Sequence, residues 1–289
     1  MTRAAAFFDL DKTVIAKSST LAFGRPFFAG GLINRRAVLK GAYAQFVFSL
    51  AGADAQQMER MRAQITRMAT GWDVATVHEI VHETLHEVVD PLVYAEAADL
   101  IEFHRAAGHE IVIVSSSGAE MVEPIGEMLG ADRVVATRMV RADGRYTGEI
   151  DFYAYGENKA EAMREVAAES GYDLADCYAY SDSVTDLPML AAVGHPTAVN
   201  PDRALRRAAT ERGWPVREFT RPVSMRSRFA APPGPVVTGA AMSVGAAVAG
   251  LAWYARRRAL RVVAAVPAPR APVAAPVAVP AGRRRRRGA

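Results

Sequence analysis

Residues 4 to 8, AAAFF, form an apolar run without alternation that is too short for a helix, and they read as a buried strand. From Val14 to about Val89 the pattern is helical with no strong strand run, which predicts a helical insertion after that strand. Residues 93–107, VYAEAADLIEFHRAA, predict an amphipathic helix ended by Gly108, and HEIVIVS is a strand entering SSSG. A further helix follows through Leu129. VVATRMVRADGRYTGEIDF predicts a hairpin that turns at Asp143 and Gly144. Another helix begins near Lys159, CYAYSDS is a strand leading into a helix around Leu187, and HPTAVN and VREF supply short strands. Strands alternating with helices predict an α/β layered fold with a mainly parallel sheet.

The texture changes after Thr220. Residues 221–234 read as a basic, Pro-containing linker, and residues 256–289 as a disordered tail of Ala, Pro, Val and Arg. Between them PVVTGAAMSVGAAVAGLAWYA, residues 235–255, holds 21 residues without a charge, long enough for a C-terminal helix to cross a bilayer. Trp253 and Tyr254 suit an interfacial belt, and Arg256 to Arg258 would stop transfer, so lipid contact is expected through residues 235–258. Arginines flank both ends and leave the orientation open. The N-terminal apolar run is too short for a signal peptide and ends in Asp9. The expectation is a single-pass protein of the cell membrane with its catalytic part in the cytoplasm.

Charge changes the picture only at the tail. The net charge of +4 includes ten arginines beyond residue 255; without them 25 basic side chains face 31 acidic ones. A mildly acidic body gives no case for a nucleic-acid binder. The terminal RRRRR run could meet anionic lipid, although a solvated charge run is its commoner meaning. The single Cys177 excludes an internal disulfide framework, fits a reducing compartment, and reads as a small buried side chain.

Open parallel sheets place their ligands at the carboxyl ends of the strands, so polar residues ending each strand should converge. The first strand ends in Asp9, with Asp11 two positions on; the next ends in Ser115, followed by Ser116, Ser117 and Gly118. Lys159 opens a helix, and a later strand ends in Ser181 and Asp182, with Asp186 one helical turn beyond. Singly each has an ordinary reading: Ser115 a turn residue, Lys159 a solvated helix charge, Asp182 an N-cap. Together, carboxylates meeting at one sheet edge need a compensating cation, and oxygen ligands without a His or Cys cluster point to Mg2+. One carboxylate can then attack phosphorus while its neighbour handles a proton, with Ser115, Ser116 and the Lys159 ammonium holding phosphoryl oxygens.

DLDKT matches the DxDxT signature of the haloacid dehalogenase-like phosphatases, VIVSSS resembles their second motif, Lys159 the third, and SDSVTD the fourth. The ordered set with helices inserted after the first motif resembles subfamily IB, which includes phosphoserine phosphatases, over about residues 3 to 220. This resemblance implies a Rossmann-like core of residues 1–15 and 91–220 with a helical cap of residues 16–90. It further implies that Asp9 is phosphorylated and that Asp11 protonates the leaving oxygen and then activates water. Thr13 would steady the loop, and Ser115 and Lys159 would bind phosphate. Mg2+ would be held by Asp9, the main-chain carbonyl of Asp11 and Asp182, with Asp186 orienting its water or Lys159.

The expected activity is Mg2+-dependent hydrolysis of a small-molecule or lysolipid phosphomonoester. A non-catalytic, membrane-attached binding module on the same fold and phosphoryl transfer to an alcohol are the alternatives. Phosphoserine phosphatases read the substrate amine with a cap glutamate. VIAKSST has no acid at that point, and none occurs between Asp11 and Asp54, whereas Lys17, Arg25, Arg35, Arg36 and Lys40 do. An amine-bearing substrate is therefore disfavoured. FGRPFF and AYAQFVFSL read as packing between cap helices or as an apolar mouth. VHEIVHETLHEVVD puts His78, His82 and His86 on one helix face beside Glu79, Glu83 and Glu87, and it is read as a polar helix face.

Overall fold

The computed structural model describes residues 3–33, 63, 66, 67 and 69–224. They belong to the first of two compact units, Met1–Ala230; the second, Ala231–Ala289, lies outside the described residues. The strands are β1 (Ala5–Phe8), β2 (Glu110–Gly118), β3 (Arg133–Ala142), β4 (Arg145–Phe152), β5 (Tyr178–Ser181), β6 (His195–Val199) and β7 (Val216–Arg217). They form one sheet in the order β4-β3-β2-β1-β5-β6-β7. Every pairing is parallel except that of β3 with β4. This is the α/β, mainly parallel architecture that the alternating pattern predicts.

Successive strand residues point to opposite sides, and the central strands β1 and β2 are buried on both faces. Phe8, Ile111 and Ile113 enter the apolar cluster on one face, and Phe7, Val112 and Val114 enter the cluster on the other. Between β1 and β2 come α1 (Ser19–Ala22), α2 (Gly24–Ala29), α3 (Val74–Val88) and α4 (Ala95–Ala106). Helix α3 buries Val77, Val81 and Leu85 at four-residue spacing, and Asp73 caps it by accepting the Thr76 N–H at 3.0 Å. Phe23, Phe27, Val81 and Leu85 join the same cluster as Phe8, so the inserted helices share a core with one face of the sheet. Beyond β2 lie α5 (Ala119–Leu129), α6 (Glu157–Ser170), α7 (Leu187–Ala191) and α8 (Arg203–Arg212).

The hairpin β3–β4 turns at Asp143 and Gly144, with φ of 50° and 73°, the left-handed pair that a tight type I′ turn demands. Its far end meets the insertion: Val74 N–H donates to the Gly144 carbonyl at 2.9 Å and Gly71 N–H to the Tyr146 carbonyl at 2.8 Å. Two details depart from the sequence pattern. Val93 and Tyr94, expected in a helix, are extended, because Tyr94 N–H donates to the Val14 carbonyl and the Val93 carbonyl accepts from Val223 N–H. Strand β2 also continues through SSSG, with a register shift between Ser115 and Gly118.

The expected membrane placement is corrected. Segment 235–255 lies outside the described residues, and among those described no helix is long and apolar enough to cross a membrane. An Ala- and Gly-rich stretch contributes far less transfer free energy per residue than a Leu-rich one, so the absence of charge was weak ground for a span. The single-pass placement and the lipid contact through 235–258 drop out of the functional reading. The tail 256–289, the stretch AYAQFVFSL, and Arg35, Arg36 and Lys40 also lie outside the described residues.

Candidate active site

The chain runs outward from β1 through β2 to β4 and then crosses to β5 on the other side of β1. The carboxyl ends of β1, β2 and β5 therefore flank the point where strand order reverses, where open α/β sheets hold their ligands. Phe8 is paired with Ile113 and with Tyr180, so Asp9 leaves the sheet between the ends of both neighbours. Its N–H donates to the Tyr180 carbonyl at 2.9 Å, and its side chain is buried.

Around Asp9 the fold gathers a charged cluster from distant parts of the chain. Lys159 Nζ donates to Asp9 Oδ1 at 2.7 Å and to Asp186 Oδ2 at 2.8 Å. Thr13 Oγ1 donates to Asp9 Oδ2 at 3.2 Å, and Ser181 Oγ to Asp186 Oδ2 at 2.7 Å. Lys159 reaches this point from the first turns of α6, only 2% exposed. Burial holds the Asp9 carboxyl well above the ordinary carboxylate range; Lys159 pulls it down, and Asp186 and Asp182 push it up further. Burial would lower the Lys159 ammonium, but Asp186 and Asp9 outweigh it and drive it above the ordinary lysine value. The two shifts differ in origin: burial dominates at Asp9, whereas the two carboxylates dominate at Lys159.

Asp182 is the third acid. It is 9% exposed, and among the described residues no donor hydrogen-bonds its carboxylate. Burial first, then Asp186 and Asp202, push it up to about 7 against the pull of Lys12 and Lys159. A nearly buried carboxylate that no donor among the described residues hydrogen-bonds, beside two more acids, suits a bound cation, since Lys12 and Lys159 only partly offset its charge. Among the described residues no three His, Cys, Asp or Glu side chains converge into a complete metal cluster. Residues that could hold a cation here are Asp9 and Asp182, whose carboxylates act on each other electrostatically, with the main-chain carbonyl of Asp11 as the further oxygen that the family resemblance implies. His78, His82 and His86 are exposed on α3 and belong to no such cluster.

Asp11 stands apart from the ammonium. Its Oδ1 accepts the Ser19 N–H at 2.9 Å and its Oδ2 the Ser117 hydroxyl at 3.0 Å. Ser115 is buried and its Oγ accepts the Ser117 N–H at 3.2 Å. Ser116 is exposed, and its carbonyl accepts from Thr137 Oγ1 at 2.7 Å. Sequence reasoning passed over Lys12, whose φ of 63° is unusual outside glycine and which acts on Asp182. It named Ser117 at the strand end without giving it a role, although a hydroxyl directly after the two chosen serines was a usable signal, and it passed over Thr20.

The family model described as haloacid dehalogenase-like hydrolase matches residues 6–191. The chain is 65% identical to the "Inhibition of morphological differentiation protein" of Streptomyces azureus, over 89% of this chain and 94% of that protein. It is 34% identical to the phosphoserine phosphatase SerB1 of Mycobacterium tuberculosis, over 88% of this chain and 81% of the relative. Among solved structures, a Bordetella pertussis protein of unknown function superposes with a TM-score of 0.66 at 28% identity, covering 75% of this chain and 98% of its own. The chain belongs to the haloacid dehalogenase-like hydrolase family and is a phosphatase of the phosphoserine phosphatase-like kind.

Proposed function

We propose that the chain hydrolyses a small-molecule phosphomonoester through a phosphorylated Asp9. The observation that carries this reading is the buried Asp9–Lys159–Asp186 cluster beside an Asp182 carboxylate that no donor among the described residues hydrogen-bonds. In the first step an Asp9 oxygen bonds to phosphorus and the bond to the leaving oxygen breaks. That oxygen keeps the electron pair and takes a proton from the Asp11 carboxyl. In the second a water oxygen bonds to phosphorus, Asp11 takes the water's proton, and the Asp9–phosphorus bond breaks with its pair returning to Asp9. Lys159 and the Ser115 hydroxyl hold phosphoryl oxygens, and Thr13 fixes the Asp9 carboxylate. Mg2+, when bound by Asp9, Asp182 and the Asp11 carbonyl, would supply positive charge to the phosphoryl group. Asp186 keeps Lys159 aimed at Asp9.

A substrate without an amine fits best. The described residues between Asp11 and Ile33 include no acid, while Lys17 and Arg25 are exposed there. The relative named a phosphoserine phosphatase therefore supports the reaction more than the substrate.

Phosphate release from an aryl phosphate, and its loss in Asp9→Asn, tests the reading. Label from a 32P-ester should be recovered on Asp9 after acid quench. Turnover with no labelled enzyme, or retained turnover in Asp9→Asn, would remove Asp9 from the chemistry.

A further inference from the structure

We infer that Ser117 is a positioning residue for Asp11 and ties the acid/base carboxylate to the inserted helices through Thr20; the inference rests on the proposed role of Asp11. The register shift in β2 makes this possible. Ser115 pairs with Ala136, yet Gly118 pairs with the next residue, Thr137, so Ser116 and Ser117 are extra to the ladder. The bulge leaves Ser116 exposed and Ser117 buried at 8% exposure, with its hydroxyl on Asp11 Oδ2.

The hydrogen count fixes the direction of the chain. A serine hydroxyl carries one hydrogen, and Ser117 gives it to Asp11. The 3.3 Å contact between Thr20 Oγ1 and Ser117 Oγ must then be donated by Thr20. The other Asp11 oxygen takes the Ser19 N–H, and Ser19 and Thr20 both lie in α1. Asp11 is thus gripped between the sheet and the insertion.

The two donors are not equivalent. The Ser19 amide can only donate, so Oδ1 is held as an acceptor whatever the proton does. A hydroxyl can rotate and accept, so Ser117 can face Oδ2 both as carboxylate and as carboxyl, turning its own hydrogen toward Thr20 in the second case. Asp11 has to occupy both states in one turnover. Ser117 consequently holds the Oδ2 side of the Asp11 side chain in one place through its hydroxyl contact. The Thr20 link makes that placement depend on where α1 lies.

The test compares two substrates in single turnover, reading release of the leaving group. p-Nitrophenyl phosphate leaves without a proton; glycerol 2-phosphate needs one. Asp11→Asn should slow the glycerol ester far more than the aryl ester. Ser117→Ala should slow the glycerol ester about tenfold and the aryl ester less than twofold, with KM unchanged on both. Ser117→Thr, which restores a hydroxyl, should recover most of the loss, and Thr20→Val should slow the glycerol ester about threefold. Equal slowing of both substrates by Ser117→Ala, or failure of Ser117→Thr to recover what Ala loses, overturns the positioning role. Should Ser117→Ala not fold, equal slowing of both substrates by Thr20→Val does the same. If Asp11→Asn itself shows no preference between substrates, the proposed acid role of Asp11 fails, a result distinct from failure of Ser117 alone.

Discussion

The Lys159 ammonium lies 2.7 Å from the Asp9 carboxylate although 150 residues separate them in the chain. Its second partner, Asp186, is 2.8 Å away and 27 residues further along. All three are almost fully buried, so removing the lysine strands two carboxylates rather than deleting one contact. Breaking a buried pair from one side typically costs about 3–5 kcal/mol. Lys159→Met should therefore lose activity and unfold at markedly lower urea. The double change Lys159→Met with Asp186→Asn should regain a good part of that stability but none of the activity. Urea melts of the four combinations check this; additive losses would show that the two groups are not coupled.

Asp182 predicts a trade between stability and metal binding. Its folded value of about 7 stands above the ordinary 3.8, so the folded protein holds the proton more tightly than the unfolded chain between those values. Stability at this site is therefore present at low pH and is lost as pH rises through about 7. Without metal at pH 8, Asp182→Asn should melt a few degrees higher than the native chain. With Mg2+ the order should reverse, because only the native site gains from binding, about 2.7 kcal/mol at a hundredfold excess over Kd. Thermal melts with Mg2+ and with EDTA decide it. A variant that still responds fully to Mg2+ would place the cation elsewhere.

These groups differ in how plainly the chain announces them. Phe7 and Phe8, or the run from Ile111 to Val114, declare a two-faced buried sheet by composition alone, and Asp9 and Asp182 are conspicuous because each ends such a strand. Asp9, Lys159 and Asp186 come together in space as strand-end reasoning expects. What local pattern cannot carry is a choice made by distant partners. Tyr94 would continue a helix on its own, and becomes extended only because the Val14 carbonyl is there to receive its N–H. Ser116 and Ser117 are identical in sequence terms, and a bulge set by pairing with β3 sends one to solvent and the other to Asp11. The apolar stretch before the tail misled for the opposite reason: absence of charge is local information, but insertion depends on the summed hydropathy that Ala and Gly do not supply.

His104 makes acid stability measurable apart from the active site. It is fully buried; its Nε2 lies 2.7 Å from Tyr180 Oη and its Nδ1 2.8 Å from His109 Nδ1. Burial first, then His109 and Arg217, push it down to about 4 from an ordinary 6.5. Above 6.5 both folded and unfolded forms are neutral, and the stabilising contribution is complete. As pH falls from 6.5 to 4 the unfolded chain takes a proton that the fold refuses, and up to about 3 kcal/mol is lost. His104→Phe should flatten this part of the stability profile, seen as the difference between native and variant urea midpoints from pH 7 to pH 4. Parallel profiles would show that His104 titrates normally in the fold.

Residues 220–224 are expected to hold the insertion in place by main-chain bonds rather than by charge. The chain crosses between sheet and insertion twice, with Ala16 N–H on the Leu92 carbonyl and Tyr94 N–H on the Val14 carbonyl. The last described residues lie along the second crossing: Ala95 N–H donates to the Arg221 carbonyl and Val223 N–H to the Val93 carbonyl, both at 2.8 Å. Arg221 also reaches Glu96 at 3.1 Å, but the arginine is 67% exposed, and exposed pairs contribute about 0–1 kcal/mol. Val93 is fully buried, so depriving its carbonyl of a donor costs about 1–3 kcal/mol, which is the larger effect. Val223→Pro removes that donor without touching a charge. It should speed hydrogen exchange at the Tyr94 and Ala95 amides about tenfold or more, while Arg221→Ala changes it less than threefold. Exchange read by mass spectrometry separates the two, and a larger effect from Arg221→Ala would make the ion pair the true fastening.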